Sequence, residues 1–99
     1  MEEQQIEAAL NSVLERLAAI EHERWSHWQK YLHKSGLRQS DGSLIISSEL
    51  IERWERQIST AYAELSEAEK DSDRDQVRKY LPVIKKALLT ALAAQTTSS

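Results

Sequence analysis

From Ile6 to Ile20 the apolar residues are Ile6, Leu10, Val13, Leu14, Leu17 and Ile20, mostly three or four positions apart. That interval matches an α-helix of about 3.6 residues per turn and not the alternation of a half-buried strand. The stripe continues through Trp25, Trp28, Tyr31 and Leu32, which predicts one long helix over about 3–34. Gly36 fits the position just past its end, and Lys34 suits the negative end of the helix dipole. Two glycines, one proline and no phenylalanine in 99 residues are too few for the turns and aromatic strands of an all-β fold.

Residues 35–47 form the one sizeable break. Asp41-Gly42, between Ser40 and Ser43, is a turn signal. Leu44-Ile-Ile46 is apolar and β-branched but too short to predict as a strand; it either covers a pocket or plugs the core edge. A second helix starts at Ser47 or Ser48 and ends near Tyr62, with Ile51, Trp54, Ile58, Ala61 and Tyr62 on its stripe. Ser66 with Glu69 three residues later is a capping box that opens a third helix. Its first turns carry Glu67, Glu69, Asp71, Asp73 and Asp75, which favour the positive end of the dipole. Its stripe is Val77, Leu81, Ile84, Leu88 and Leu92, and Pro82 should bend it or break it locally. The expected fold is all-α: a small three-helix domain over 1–94 with a long N-terminal helix, a short loop holding at most a minor β-turn segment, and a Pro-bent C-terminal helix. Residues 95–99 read as a disordered tail.

Net charge is −3, from 13 basic and 16 acidic residues. Basic groups dispersed among acids do not make a duplex-binding surface, though a few can hold one small anion. The absence of cysteine removes disulfides, thiolate metal sites and a thiol nucleophile. No apolar run approaches the roughly 20 residues of a membrane span, and the acidic start lacks a signal core. A cytoplasmic chain is expected.

Charged residues interrupt two of the apolar stripes. Leu17, Glu21, Trp25, Trp28 and Leu32 follow at steps of four, four, three and four, so Glu21 sits on the stripe and Arg24 lies beside it. Lys70, Asp73 and Arg74 extend the stripe of the third helix toward its start. If the first and third helices pack antiparallel with Ile6 beside Leu92, then Arg24 meets Arg74, Glu21 meets Val77 and Trp28 meets Lys70. Trp54 and Tyr62 would roof that zone. Buried charges cost several kcal/mol each unless paired. The zone is therefore either an internal salt-bridge network of Glu21 and Asp73 with Arg24 and Arg74, or a site where the bases await a phosphate and tryptophans stack a ring.

Other motifs fail on spacing. His22 and His27 are five apart, about 140° around a helix, where a zinc-protease pair needs four. Asp71-Ser-Asp-Arg-Asp75 starts like a calcium loop, but Gln76 and Pro82 occupy the glycine and closing glutamate positions. The serines have no nucleophile-elbow context. No catalytic residue, metal site or cofactor is expected.

Glu21-His22-Glu23-Arg24-Trp25, preceded by Leu14-Glu-Arg-Leu17, resembles the opening helix of ryanodine-receptor-type (RyR) domains. Tyr62-Ala-Glu-Leu65-Ser-Glu-Ala-Glu69-Lys70-Asp-Ser-Asp73-Arg74 resembles the second hallmark of that family, and the two occur in the family's order. The resemblance covers roughly residues 14–84. The family's usual glycine, aromatic and proline signals between the motifs are replaced here by a helix with Trp54, which looks like the compact, free-standing branch of bacteria and their viruses. The resemblance implies a helical domain that binds nucleotide-type ligands, including ADP-ribose-derived or cyclic nucleotide signals, and is not an enzyme. It carries Glu21, His22, Trp25, Lys70, Asp73 and Arg74 as ligand-binding residues. The helical projection adds Arg24, Trp28 and Tyr62.

Two functions follow. The first is a homo-oligomeric nucleotide-binding module that sequesters a defence signal, in the host cytoplasm if the source is viral. Arg24, Lys70 and Arg74 would neutralise phosphate, a tryptophan would stack the base, and Glu21 or Asp73 would accept a hydrogen bond. The second is a structural or protein-interaction helical homo-oligomer with an internal ion-pair network and no small ligand. A hydrolase is disfavoured, since there is neither a metal cage nor a nucleophile.

Overall fold

The computed structural model describes the backbone of residues 2–97 and the side chains of residues 2–95. In chain order the elements are α1 (Glu3–Asn11), α2 (Leu14–Ser35), β1 (Leu37–Arg38), β2 (Leu44–Ile45), α3 (Ser48–Ile58), a 3-10 turn (Tyr62–Glu64) and α4 (Glu67–Thr97). The fold is mainly all-α, as expected, but with four α-helices where three were expected. Residues 2–24 with 74–97 make one compact unit, and residues 25–73 make a second.

In the first unit the expected single N-terminal helix is interrupted at Ser12 and Val13. The Ser12 hydroxyl donates to the Ala9 carbonyl at 2.6 Å, and the Val13 amide reaches the Leu10 carbonyl at 3.2 Å, an i−3 bond. A serine hydroxyl that takes a backbone acceptor competes with the helical ladder. Ser12 itself stays right-handed, so α2 resumes at once, with the Leu17 amide on the Val13 carbonyl at 2.9 Å. Pro82 lies inside α4, which continues through it to Thr97. Gln95, Thr96 and Thr97, expected in a disordered tail, therefore belong to the helix; Ser98 and Ser99 lie outside the described residues.

The side chains buried here are Ala9, Val13 and Ala87. Large residues of the expected stripes stay open instead: Leu14 is 59% exposed, Val77 52%, Leu81 53% and Leu92 47%. Leu17, Ile20, Ile84 and Leu88 are half-buried. Alanines and a serine of α1 and its end (Ala8, Ala9, Ser12) and alanines of α4 (Ala87, Ala91, Ala94) line an open groove of about 520 Å³. The expected stripes thus face inward only in part: Val13 is fully buried and Leu17, Ile20, Ile84 and Leu88 are half-buried, with Ala9 and Ala87 buried beside them.

The second unit is held by caps, rings and a hairpin. β1 and β2 pair antiparallel with Leu37 opposite Ile45 and Arg38 opposite Leu44, so the segment left unassigned from sequence forms a short strand. The Gly42 amide closes the turn on the Gln39 carbonyl at 3.0 Å, and Gly42 takes φ +89°, which glycine adopts without steric cost. Asp41 Oδ1 accepts from the Ser43 amide at 3.0 Å and its hydroxyl at 2.6 Å. Gly36 follows α2 as expected, but with ordinary backbone angles. Its lack of a side chain serves close approach: a Cβ there would sit 3.3 Å from the Ile45 carbonyl oxygen and from Leu44 Cβ.

Ser47 caps α3 by accepting the Leu50 amide at 3.3 Å. That helix stops at Ile58, four residues before the expected end, because the Ser59 and Thr60 hydroxyls both donate to the Arg56 carbonyl. Tyr62 consequently lies in the 3-10 turn. The capping box opening α4 forms as predicted: Ser66 Oγ accepts the Glu69 amide at 3.2 Å, and Glu69 Oε1 takes the Ser66 hydroxyl at 2.8 Å.

Candidate functional site

The nine residues singled out from sequence divide between the units. Glu21, His22, Arg24 and Arg74 belong to the first, and Trp25, Trp28, Tyr62, Lys70 and Asp73 to the second.

In the first unit Glu21 is the hub of a small polar cluster. Arg24, one turn later on α2, donates to it through Nε at 3.2 Å and also through its terminal nitrogen. The Tyr80 hydroxyl on α4 donates to the same carboxylate. These partners hold Glu21 ionised, its pKa lowered from 4.5 to about 2, chiefly by Arg24 and then by Tyr80. The Arg24 pKa is raised by Glu21, and the Tyr80 hydroxyl is pushed above its ordinary value by the same carboxylate. The side chains of Glu21 and Arg24 are about half exposed, so water screens the pair and its net worth is small. The expected register put Glu21 beside Val77; the structure puts it at Tyr80, three residues further along α4. Tyr80 is the residue that sequence reasoning missed here. Its only signal was its place one turn after Val77. His22 is exposed on α2, and Arg74 is half-buried on α4.

The second unit holds a groove of about 640 Å³. Trp28 of α2, Trp54 and Gln57 of α3, Leu65, and Glu69 and Asp73 of α4 are among the residues that line it. The two indoles meet edge-to-face, centroids 5.7 Å apart and planes at 69°, and Tyr31 stacks on Trp28 at 5.4 Å. Gln57 Nε2 donates to Glu69 Oε2 at 3.0 Å, joining α3 to α4 across the groove. Hydrogen bonds from Ser66 first, then Gln57, hold the Glu69 carboxyl below its ordinary range. Asp73 is exposed on the next turn.

Of the residues expected to bind, Trp28 and Asp73 share this groove. Tyr62 and Lys70 instead pair with each other, the Lys70 ammonium 5.8 Å from the Tyr62 ring centroid and 3.7 Å from a Glu67 oxygen. Trp25 is exposed on α2. The bases assigned to phosphate thus have other partners nearby: Arg24 holds Glu21, and Lys70 holds Tyr62 and Glu67. Glu69 and Gln57 were not singled out as site residues, although the Ser66–Glu69 capping signal had already fixed where Glu69 would stand. Among the described residues no group of three or more histidine, aspartate or glutamate side chains is placed to hold a metal ion. No helix among them is long and apolar enough to cross a membrane. No family model matches the chain, and no curated protein and no solved structure matches it.

Proposed function

We propose that this chain is a non-enzymatic, cytoplasmic binding module that works as a helical homo-oligomer. One observation carries the reading: Val77, Leu81 and Leu92 of the α4 stripe lie open while Ala87, Ala91 and Ala94 line the groove beside α1. A helix packed to completion turns its large apolar residues inward. Here Val77, Leu81 and Leu92 are left about half exposed, as are Leu10 and Leu14 near the turn between α1 and α2. Fully burying one such side chain is worth about 1.5–3 kcal/mol, so covering the exposed half of several is worth several kcal/mol per chain. A second copy supplies what both surfaces lack: large side chains for a groove of about 520 Å³ lined by alanines together with Gln5, Arg16, Lys86 and Thr90, and a cover for the leucines.

Sedimentation velocity over a hundredfold concentration range tests this. The expected result is a mass above one chain that falls in the double variant Leu81→Gln, Leu92→Gln, with far-UV helicity retained. A monomer at every concentration overturns it.

A second reading, uptake of a small nucleotide-type ligand, is favoured by Trp28, Trp54 and Asp73 lining one groove. Two indoles offer ring faces to a base, and the acid accepts a hydroxyl or amine hydrogen bond. The resemblance to RyR-type domains supports the same reading. In that role the module sequesters a signal. Native mass spectrometry of the purified protein, alone and with a panel of cyclic and ADP-ribose-type nucleotides, is the test. A retained mass of a few hundred daltons is expected; no uptake from any pool removes the reading.

A further inference from the structure

We propose that the groove of the second unit takes an organic ammonium group, seated against the Trp28 and Trp54 rings and balanced by Glu69 and Asp73. The proposal rests on the small-ligand reading of this groove but replaces its nucleotide-type ligand with a cationic one.

The first argument is the ring surface. Both indoles line the groove, and tryptophan is the side chain whose π-face attracts a cation most strongly, at up to about 6 Å from the centroid. Stacking of Tyr31 on Trp28 and the edge-to-face contact of Trp28 with Trp54 leave these rings little freedom to turn away.

The second argument is the sign of the charge. The lining holds two carboxylates and neither lysine nor arginine. Glu69 and Asp73 are four residues apart on α4, hence on one face. Glu69 is fixed by Gln57 at 3.0 Å and by Ser66 at 2.8 Å. The Asp73 carboxylate is exposed and lines the groove, which leaves it available to a ligand. Arg56 on α3 acts on Glu69 electrostatically but does not line the groove, and Lys70, the residue after Glu69, also lies outside the lining and contacts Tyr62 and Glu67. A phosphate placed here meets two like charges; an ammonium meets two opposite ones.

The third argument is fit. Leu65 and Ile58 give the walls apolar surface suited to the alkyl substituents of an ammonium. The volume of about 640 Å³ lies within the range of small-molecule sites, so the group would arrive on a ligand with a ring or chain attached.

The experiment is tryptophan emission and calorimetric titration with four probes: choline, its neutral isostere 3,3-dimethylbutan-1-ol, adenosine and AMP. Choline should saturate the signal and bind about tenfold tighter than the neutral isostere, the scale of one cation–π contact with a facing carboxylate. Asp73→Asn, an exposed and near-isosteric change, should weaken choline about fivefold or more with unchanged far-UV helicity. Trp54→Phe, which keeps a ring, should weaken it less than Asp73→Asn weakens it. Equal binding of choline and the isostere overturns the charge assignment. Binding of adenosine or AMP without choline overturns it too, while leaving the small-ligand reading intact. No binding by any probe overturns the proposal, and the nucleotide panel above then decides the small-ligand reading.

Discussion

The two units solve the packing problem in opposite ways. The first, residues 2–24 with 74–97, contains the three buried side chains, Ala9, Val13 and Ala87, two of them alanines, and leaves Leu10, Leu14, Leu81, Leu89 and Leu92 open. The second, residues 25–73, has no fully buried side chain; it is held by the Trp28–Trp54 and Trp28–Tyr31 contacts, the Gln57–Glu69 bridge and the hairpin. Small residues bury little area each, so a core built on them is weak unless something covers the large side chains beside it. Rings bury far more per residue and also present faces to a ligand. The contrast sets open leucines in the first unit against ring surface in the second.

The sharpest test of that contrast is Val13→Asp. Val13 is fully buried, and an unpaired charge there should cost about 3 kcal/mol or more, read as a lowered urea midpoint by circular dichroism. Trp25, Trp28 and Trp54 all lie in the second unit, so their emission reports that unit alone. A smaller shift in the emission midpoint sharpens the distinction; an equal shift breaks it.

Trp54→Ala is next. It removes the edge-to-face partner of Trp28 and should cost about 2–3 kcal/mol, the lower end for a large aromatic because the ring is only half-buried. An unchanged urea midpoint would deny that rings hold this unit. Ser66→Ala follows: loss of the capping box at the start of α4 should cost about 1 kcal/mol by the same measurement. A midpoint within error of the wild type would leave the cap without weight.

The smallest expected effect is in acid. The folded-state pKa of Glu21, about 2, lies below its ordinary 4.5. Its contribution is therefore fully present above about pH 4.5 and is lost as pH falls toward 2. Glu21→Gln should flatten the dependence of stability on pH within that window. Asp41 and Glu69, also lowered, keep part of the slope. An unchanged slope in the variant would remove the Arg24–Glu21–Tyr80 cluster from the account of stability.

Local signals were legible in the sequence because they depend on a few adjacent residues. Ser47 caps α3, Ser66 and Glu69 form their box, and Asp41-Gly42 turns the chain. Signals that depend on competition between neighbours were harder to read. The interruption at Ser12 and the early end of α3 both come from hydroxyls taking backbone carbonyls, and the same residue types sit harmlessly on other helices. Gly36 was placed correctly but for another reason: it makes room for Leu44 and Ile45.

The candidate site was half legible. Trp28 and Asp73 were named and do share a groove, while Trp54 was expected on a stripe and as a roof over the charged zone, and Glu69 only as a cap. Residues from separate helices meet according to crossing and register, and a repeat of three and four specifies neither. A one-turn difference was enough to move Glu21 from Val77 to Tyr80. By itself the sequence determined an all-α chain, the starts of α3 and α4, and the hairpin turn, since each follows from hydrogen bonds and backbone preferences within a few residues. Only the tertiary structure decided that Ala9 and Ala87 are buried while Leu81 and Leu92 stay open, and that Trp28 and Trp54 meet beside carboxylates. Those outcomes depend on which helix edges approach each other, and a periodic stripe offers more than one edge.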